Sequence, residues 1–239
     1  MPVAPATAPR DPLYRGHRFP EEIISHAVWL YHAFSLSLRD VELILAERGI
    51  VVTHESIRHW CRKFGADFAR RLHRRRPQPG DTWHLDEVFI RIRGMLHYLW
   101  RAVDQHGVVL DILVQDRRNG AAARRFSKHL LHGLQYKPRA SSRTACVAMA
   151  SLSERSCPMF GIRYLNNRAE NSHRPTRRRE RQMQRFKSAS QAQRFLSAHA
   201  MIYGHFRPRR HLMAAAGYRR VRAKAFRTWR QETSVHQAA

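Results

Sequence analysis

The sequence predicts a mixed α and β chain, helical at its start, sheet-forming in its middle and helical again toward its end. Three observations carry this. Residues 18–69 place apolar side chains at helical spacing between recognisable caps. Residues 81–116 change to strand-favouring runs divided by Gly-containing turns. Residues 119–135 and 189–206 return to helical spacing. Hydrophobic residues make up 43% of the 239, enough for a real core.

Taken in order, residues 1–17 are rich in Pro, Ala and Arg and read as a flexible lead-in. Phe19-Pro20-Glu21-Glu22 looks like a helix start, with acids near the positive end and Ile23, Ala27, Leu30 and Phe34 as its apolar stripe. Ser37 caps a second helix with Asp40 in the capping-box position. Leu38, Val41, Leu43, Ile44 and Leu45 supply its inner side, and Gly49 ends it. Thr53 caps a third helix that turns Ile57, Trp60 and Phe64 inward and shows His54, Arg58, His59, Arg62 and Lys63 outward. A short helix, a glycine-containing turn and a basic helix make the helix-turn-helix pattern, whose last helix enters a DNA major groove; a plain three-helix bundle is the alternative. Residues 70–80, RRLHRRRPQPG, read as a basic linker at a domain boundary.

The middle segment supplies three strands in an antiparallel meander. A helix follows with Ala122, Phe126, Leu130 and Leu134 in line. Three antiparallel strands and then a helix is how the ribonuclease H-like fold opens. In that fold the first strand carries an acid near its middle, where Asp86 sits, and a fourth strand runs parallel to the first and ends in a second acid. The sequence therefore predicts a ribonuclease H-like catalytic domain with a central mixed sheet over residues 81–206. The last helix places Ala192, Phe195, Leu196 and His199 inward, and 207–239 form a basic tail that packs loosely or contacts DNA.

Charge narrows the partner. Lysine and arginine total 44 against 18 acids, a formal charge of +26, which points to a polyanion, nucleic acid above all. Arginine dominates, favouring bidentate phosphate contacts. Cys61, Cys146 and Cys157 form no C-x-x-C pair, so neither a disulfide framework nor a zinc ribbon is implied, and a reducing cytoplasm fits. No apolar run of membrane length and no signal peptide is present.

The stretch from Arg163 to Ser188 concentrates the chemistry. Glu170 stands in a field of arginines, with a second acid at Glu180. Asn166 or Asn167 suits a helix N-cap. Pro175 predicts a kink or early break, since proline costs about 3 kcal/mol in a helix interior. On a helix, Glu170, His173, Arg174 and Arg177 share one face. Such a carboxylate can hold a divalent metal while its neighbours hold phosphates. A solvated basic helix with one chance acid is the plainer reading.

The blocks W-H-L-D-E-V at 83–88, Y-L-W-R-A-V-D at 98–104, R-Y-L-N-N-R-A-E-N-S-H at 163–173 and F-R-P-R-R-H at 206–211 resemble bacterial insertion-sequence transposases of the "insertion sequence six" family. The similarity runs from about Phe19 to His211. It implies an N-terminal helix-turn-helix that recognises transposon ends and a catalytic domain with an Asp-Asp-Glu triad. It also implies two Mg²⁺ (or Mn²⁺) ions, double-stranded DNA as partner and substrate, and at least a homodimer. Carried over by motif, Asp86 and Glu170 are the first and third acids and metal ligands, and Arg177 fills the place of the supporting basic residue two helical turns after the glutamate. His173, Arg174, Arg177 and Arg178 join the third helix as DNA contacts.

The second Asp is missing. No Asp occurs after Asp116, and the expected fourth strand near Arg139–Met149 holds no carboxylate. The genetic code permits a shifted frame that reads V-I-A-D-x-L-R-S-Y-G there, with Asp across Arg143–Thr144 and Gly required across Met149–Ala150. This reading predicts two compensating shifts across roughly 140–162 of an ancestral transposase as the origin of the gap. The sequence thus predicts a transposase impaired in catalysis, set against a non-catalytic DNA-binding protein. Asp104 and Glu154 are the acids to examine as replacements, Asp104 having an ordinary structural use at a strand end.

Overall fold

The computed structural model describes residues 11–117, 119–134, 140–141, 172–183, 186–208 and 213–234. Among them are seven α-helices and one four-stranded sheet. Helices α1 (Glu21–Ala33), α2 (Leu38–Glu47) and α3 (His54–Arg74) precede strands β1 (Thr82–Ile92), β2 (Met95–Asp104) and β3 (Val109–Gln115). Then come α4 (Gly120–Leu134), β4 (Ala140–Ser141), α5 (Arg174–Gln182), α6 (Ala189–Phe206) and α7 (Ala215–Glu232).

The caps hold the first helices where the sequence puts them. Ser37 Oγ accepts from the Asp40 N–H at 3.0 Å, and Asp40 Oδ2 accepts from the Ser37 N–H at 2.7 Å, a complete capping box. Thr53 Oγ1 accepts from the Ser56 N–H at the start of α3. Two stripes differ from expectation. In α1 the buried side is Ile24, Ala27, Val28 and Leu30, while Ile23 is half-buried. Phe34 stands past the helix end in extended backbone, under the Arg207 guanidinium. In α2, Val41 and Leu45 are buried, whereas Leu43 is 71% exposed, because it lies on the opposite side of the turn from them.

The expected linker at 70–80 begins later than its composition suggests. Phe68, Ala69 and Leu72 continue the stripe of Ile57, Trp60 and Phe64, so α3 runs to Arg74, with Arg71, His73 and Arg74 at its negative end. Arg76 then donates to the carbonyls of Val109 (2.5 Å) and Leu110 (3.4 Å), tying this segment to β3. The basic tail also changes character: Ala225 and Trp229 of α7 are buried in the N-terminal helical core, where Trp229 meets Phe68 and Phe206 edge-on. Tyr14, expected in a flexible lead-in, is buried and donates its hydroxyl to the Thr233 carbonyl at 2.6 Å. No helix among the described residues is long and apolar enough to cross a membrane.

The sheet order is β3-β2-β1-β4, with β1–β2 and β2–β3 antiparallel and β4 parallel to β1 beside Thr82 and Trp83. Arg93 (φ 52°) and Gly94 (φ 83°) form the β1–β2 turn, and positive φ at both central residues gives the hairpin the twist of its strands. Alternation sorts the side chains, except that a β-bulge in β3 opposite Ala102 and Val103 puts Leu110 and Ile112 on opposite faces. Trp83, Leu85, Trp100, Ala102 and Leu110 pack with Ala122, Phe126 and Leu130 of α4. Ile90, Ile92, Leu99 and Ile112 pack with Phe186 and with Ala192, Leu196 and Ala200 of α6. The edge strand β3 is covered by Gln193, which accepts from the Val114 N–H (2.7 Å) and donates to the Ile112 carbonyl (2.9 Å).

Helix α6 serves both cores, since its far end sends Ile202 and Phe206 into the N-terminal helices. At the junction, His199 Nδ1 lies 2.8 Å from the His32 carbonyl, and both rings sandwich Phe195. Burial lowers the His199 pKa to about 4 from an ordinary 6.5, and burial pushes His32 well below its ordinary value. Between those pKa values the unfolded chain binds more protons than the folded one. This contribution to stability is therefore complete above pH 6.5 and is lost as pH falls toward 4. Unfolding free energies from urea titrations should fall by about 1.4 kcal/mol per pH unit between pH 6.5 and 4 on account of His199. His199→Asn, which keeps a donor for the His32 carbonyl, should flatten the slope.

Candidate active site

Asp86 lies in the middle of β1, on the face shared with Val88 and Ile90, and strand alternation sends Glu87 to the other face. Its cross-strand partner on β2 is Arg101. Arg101 is buried at 2% exposure and donates to the Ser172 carbonyl and the Thr176 hydroxyl. Burial lowers its pKa to about 10, so it remains a cation at neutral pH. Those two bonds seat the start of α5 against the sheet.

The first turn of α5 then faces Asp86. Pro175 occupies that turn, where its missing N–H leaves no bond unmade; Ser172 is helical, His173 is a turn residue and α5 starts at Arg174, so the expected break falls just before the proline. His173 Nε2 stands 3.5 Å from Asp86 Oδ2. Burial lowers the His173 pKa, against the raising pull of the Asp86 carboxylate. Asp86, Val88, His173, Arg174, Arg177, Arg178 and Arg181 line a cleft of about 470 Å³. A neighbouring cleft of about 330 Å³ is lined by Phe89, Arg91, Leu96, Arg177 and Glu180, and Arg177 donates to Glu180 Oε2 at 3.1 Å. The structure thus brings Asp86, His173, Arg174, Arg177 and Arg178 together. Glu170, the Asn166/Asn167 cap, Glu154 and nearly all of the expected fourth-strand segment lie outside the described residues.

Asp104 has a turn to hold. Its Oδ1 accepts from the N–H groups of His106 (2.8 Å) and Val108 (2.9 Å), and its Oδ2 from that of Gly80 (3.4 Å). Among the described residues no group of three or more His, Cys, Asp or Glu gathers as a metal cage. The cleft offers two donors, the Asp86 carboxylate and the His173 imidazole. That pair fits as part of a divalent-ion shell that water and phosphate oxygens would complete. Four arginines beside one carboxylate suit a polyanion.

The outward residues of α3 form a second basic surface. His54 lies between Glu42 (3.3 Å) and Glu55 (3.5 Å), and Arg58 pairs with Glu55 at 2.9 Å. Lys63 Nζ contacts His17 Nε2 at 2.8 Å, while His59 and Arg62 are exposed. The acids that temper this face were not weighed in the sequence.

Sequence reasoning also missed Arg101 and Arg179. Arg101 carried a signal, a lone charge between Trp100 and Ala102 in an apolar run. Arg179 carried none, being one arginine in a run of three. It is buried over the Tyr31 ring at 4.3 Å and donates to the Leu36 carbonyl, so α5 is also fixed to α1 and the α1–α2 connection.

Known proteins resemble this chain over most of its length. Residues 80–209, more than half of the chain, match the family described as a DDE domain. The transposase for insertion sequence-like element IS431mec of Staphylococcus aureus is 29% identical over 213 residues, covering 86% of this chain and 93% of that protein. The transposase for insertion sequence element IS257 in transposon Tn4003, also of Staphylococcus aureus, is 28% identical over the same share of each chain. The uncharacterised protein pYV0051 of Yersinia pseudotuberculosis is 42% identical over 50 residues, 21% of this chain and 47% of that one. The chain belongs to the DDE-domain family of bacterial insertion-sequence transposases.

Proposed function

We propose that this chain binds the ends of its insertion sequence and presents the DNA backbone to the Asp86 cleft. The observation that carries the reading is the meeting of Asp86 with Arg174, Arg177, Arg178 and Arg181 in one cleft. The sheet order, the parallel β4 and an acid in the middle of β1 support a ribonuclease H-like catalytic domain. Helices α2 and α3 act as the helix-turn-helix, with His54, Arg58, His59, Arg62 and Lys63 toward DNA. Two ends must meet, so the working assembly is at least a dimer.

The arginines hold phosphates and set the register of the DNA, a role that carries no sequence information. Asp86 supplies one carboxylate to the metal set, and Glu170 supplies another by family likeness. When bound, divalent ions supply Lewis-acid charge at a phosphodiester. The reaction of the family is strand cleavage followed by strand transfer.

A second reading is favoured by the sequence itself: with no Asp after Asp116, this copy binds ends without cutting them. Purified protein incubated with a duplex of the element's end and Mg²⁺ or Mn²⁺ separates the two. The missing carboxylate predicts no efficient strand transfer, and efficient strand transfer would contradict impairment.

End binding measured over a range of salt tests the interfaces. Arg178→Ala and Arg62→Ala should each weaken binding and lower the salt slope by about one. An unchanged slope in Arg178→Ala would remove the cleft from the DNA path, and one in Arg62→Ala would remove α3.

A further inference from the structure

We propose that His173 is a divalent-metal ligand beside Asp86, occupying part of the coordination shell that the missing second Asp leaves open. This rests on the reading of the Asp86 cleft as the metal-dependent site.

The geometry is the first argument. Two adjacent ligands at about 2.1 Å from one ion, at roughly right angles or a little wider, stand about 3.0–3.5 Å apart. Asp86 Oδ2 and His173 Nε2 are 3.5 Å apart. That is too long for a good hydrogen bond and right for a shared ion.

The state of the imidazole is the second. The His173 side chain is 3% exposed; its Nε2 faces only Asp86 Oδ2, at 3.5 Å, and its Nδ1 has no hydrogen-bond partner among the described residues. Buried polar atoms without partners are destabilising, so an imidazole kept this way at the wall of a cleft has a use there. A metal ion takes up the Nε2 lone pair.

The third is support from its neighbours. Arg101 bonds to the Ser172 carbonyl on one side of His173 and to the Thr176 hydroxyl on the other. The backbone carrying the ring is fixed to β2, whose pairing with β1 also fixes Asp86. Ligand and ligand thus sit on one rigid frame, as a preorganised metal site requires.

Two consequences follow. Nitrogen in the shell favours Mn²⁺ over Mg²⁺, which prefers oxygen. The four arginines of the cleft oppose a cation until phosphates offset them, so occupancy depends on DNA.

The full chain, mixed with a duplex of its element's end and Mn²⁺, is examined by pulsed electron paramagnetic resonance. The expected result is bound Mn²⁺ with modulation from a directly coordinated nitrogen. Labelling the unmodified chain with ¹⁵N-histidine should shift that modulation, a readout that needs no substitution. His173→Gln should abolish it and weaken Mn²⁺ binding at least tenfold, and Asp86→Asn should remove the bound ion. Bound Mn²⁺ that depends on Asp86 but shows no histidine nitrogen overturns the assignment of His173 alone. DNA binding with no Asp86-dependent Mn²⁺ overturns the metal reading of the cleft, and the His173 proposal with it.

Discussion

A guanidinium buried beneath the start of a helix holds this site together. Removing a charge from water is unfavourable by several kcal/mol, so a buried arginine must be well bonded where it lies. Arg101 is bonded to a backbone carbonyl and a hydroxyl, both on the segment that opens α5. Because Arg101 is also the cross-strand partner of Asp86, the same side chain fixes the helix relative to the acid. The approach of His173 to Asp86 and the row of arginines along the cleft are consequences of that seating.

The rest of the fold keeps α5 from having any other place to go. Arg179 enters the helical core over Tyr31, while α6 lies between that core and the sheet. The surface that reads DNA in the proposed function and the cleft that would receive its phosphates are therefore parts of one packed structure. In it, α7 closes the helical core through Trp229.

Much of this was legible in the sequence where the signal is local. Caps, strand alternation and the glycine turns depend on neighbours within a few residues, and Ser37, Thr53, Asp86 and the Arg93-Gly94 turn appear where the pattern puts them. Signals that depend on distant partners were not legible. The tail looked loose because Trp229 is an isolated aromatic until Phe68 and Phe206 meet it. The linker looked long because arginines are compatible with both a helix end and a coil, and only the burial of Phe68 and Leu72 decides. Arg179 is chemically identical to the exposed Arg178 beside it, so which of them is buried is set by helix phase against α1, a fact of tertiary structure.

Hydrogen exchange on Arg101→Met tests the central constraint most directly. The account predicts that amides of α5 from Arg177 to Gln182 are protected in the unaltered chain. In the variant they should lose that protection, while β1 and β2 keep theirs. Protection of α5 that survives the substitution would contradict the account, because the Arg179 contacts with Tyr31 and Leu36 would then suffice to hold the helix over Asp86.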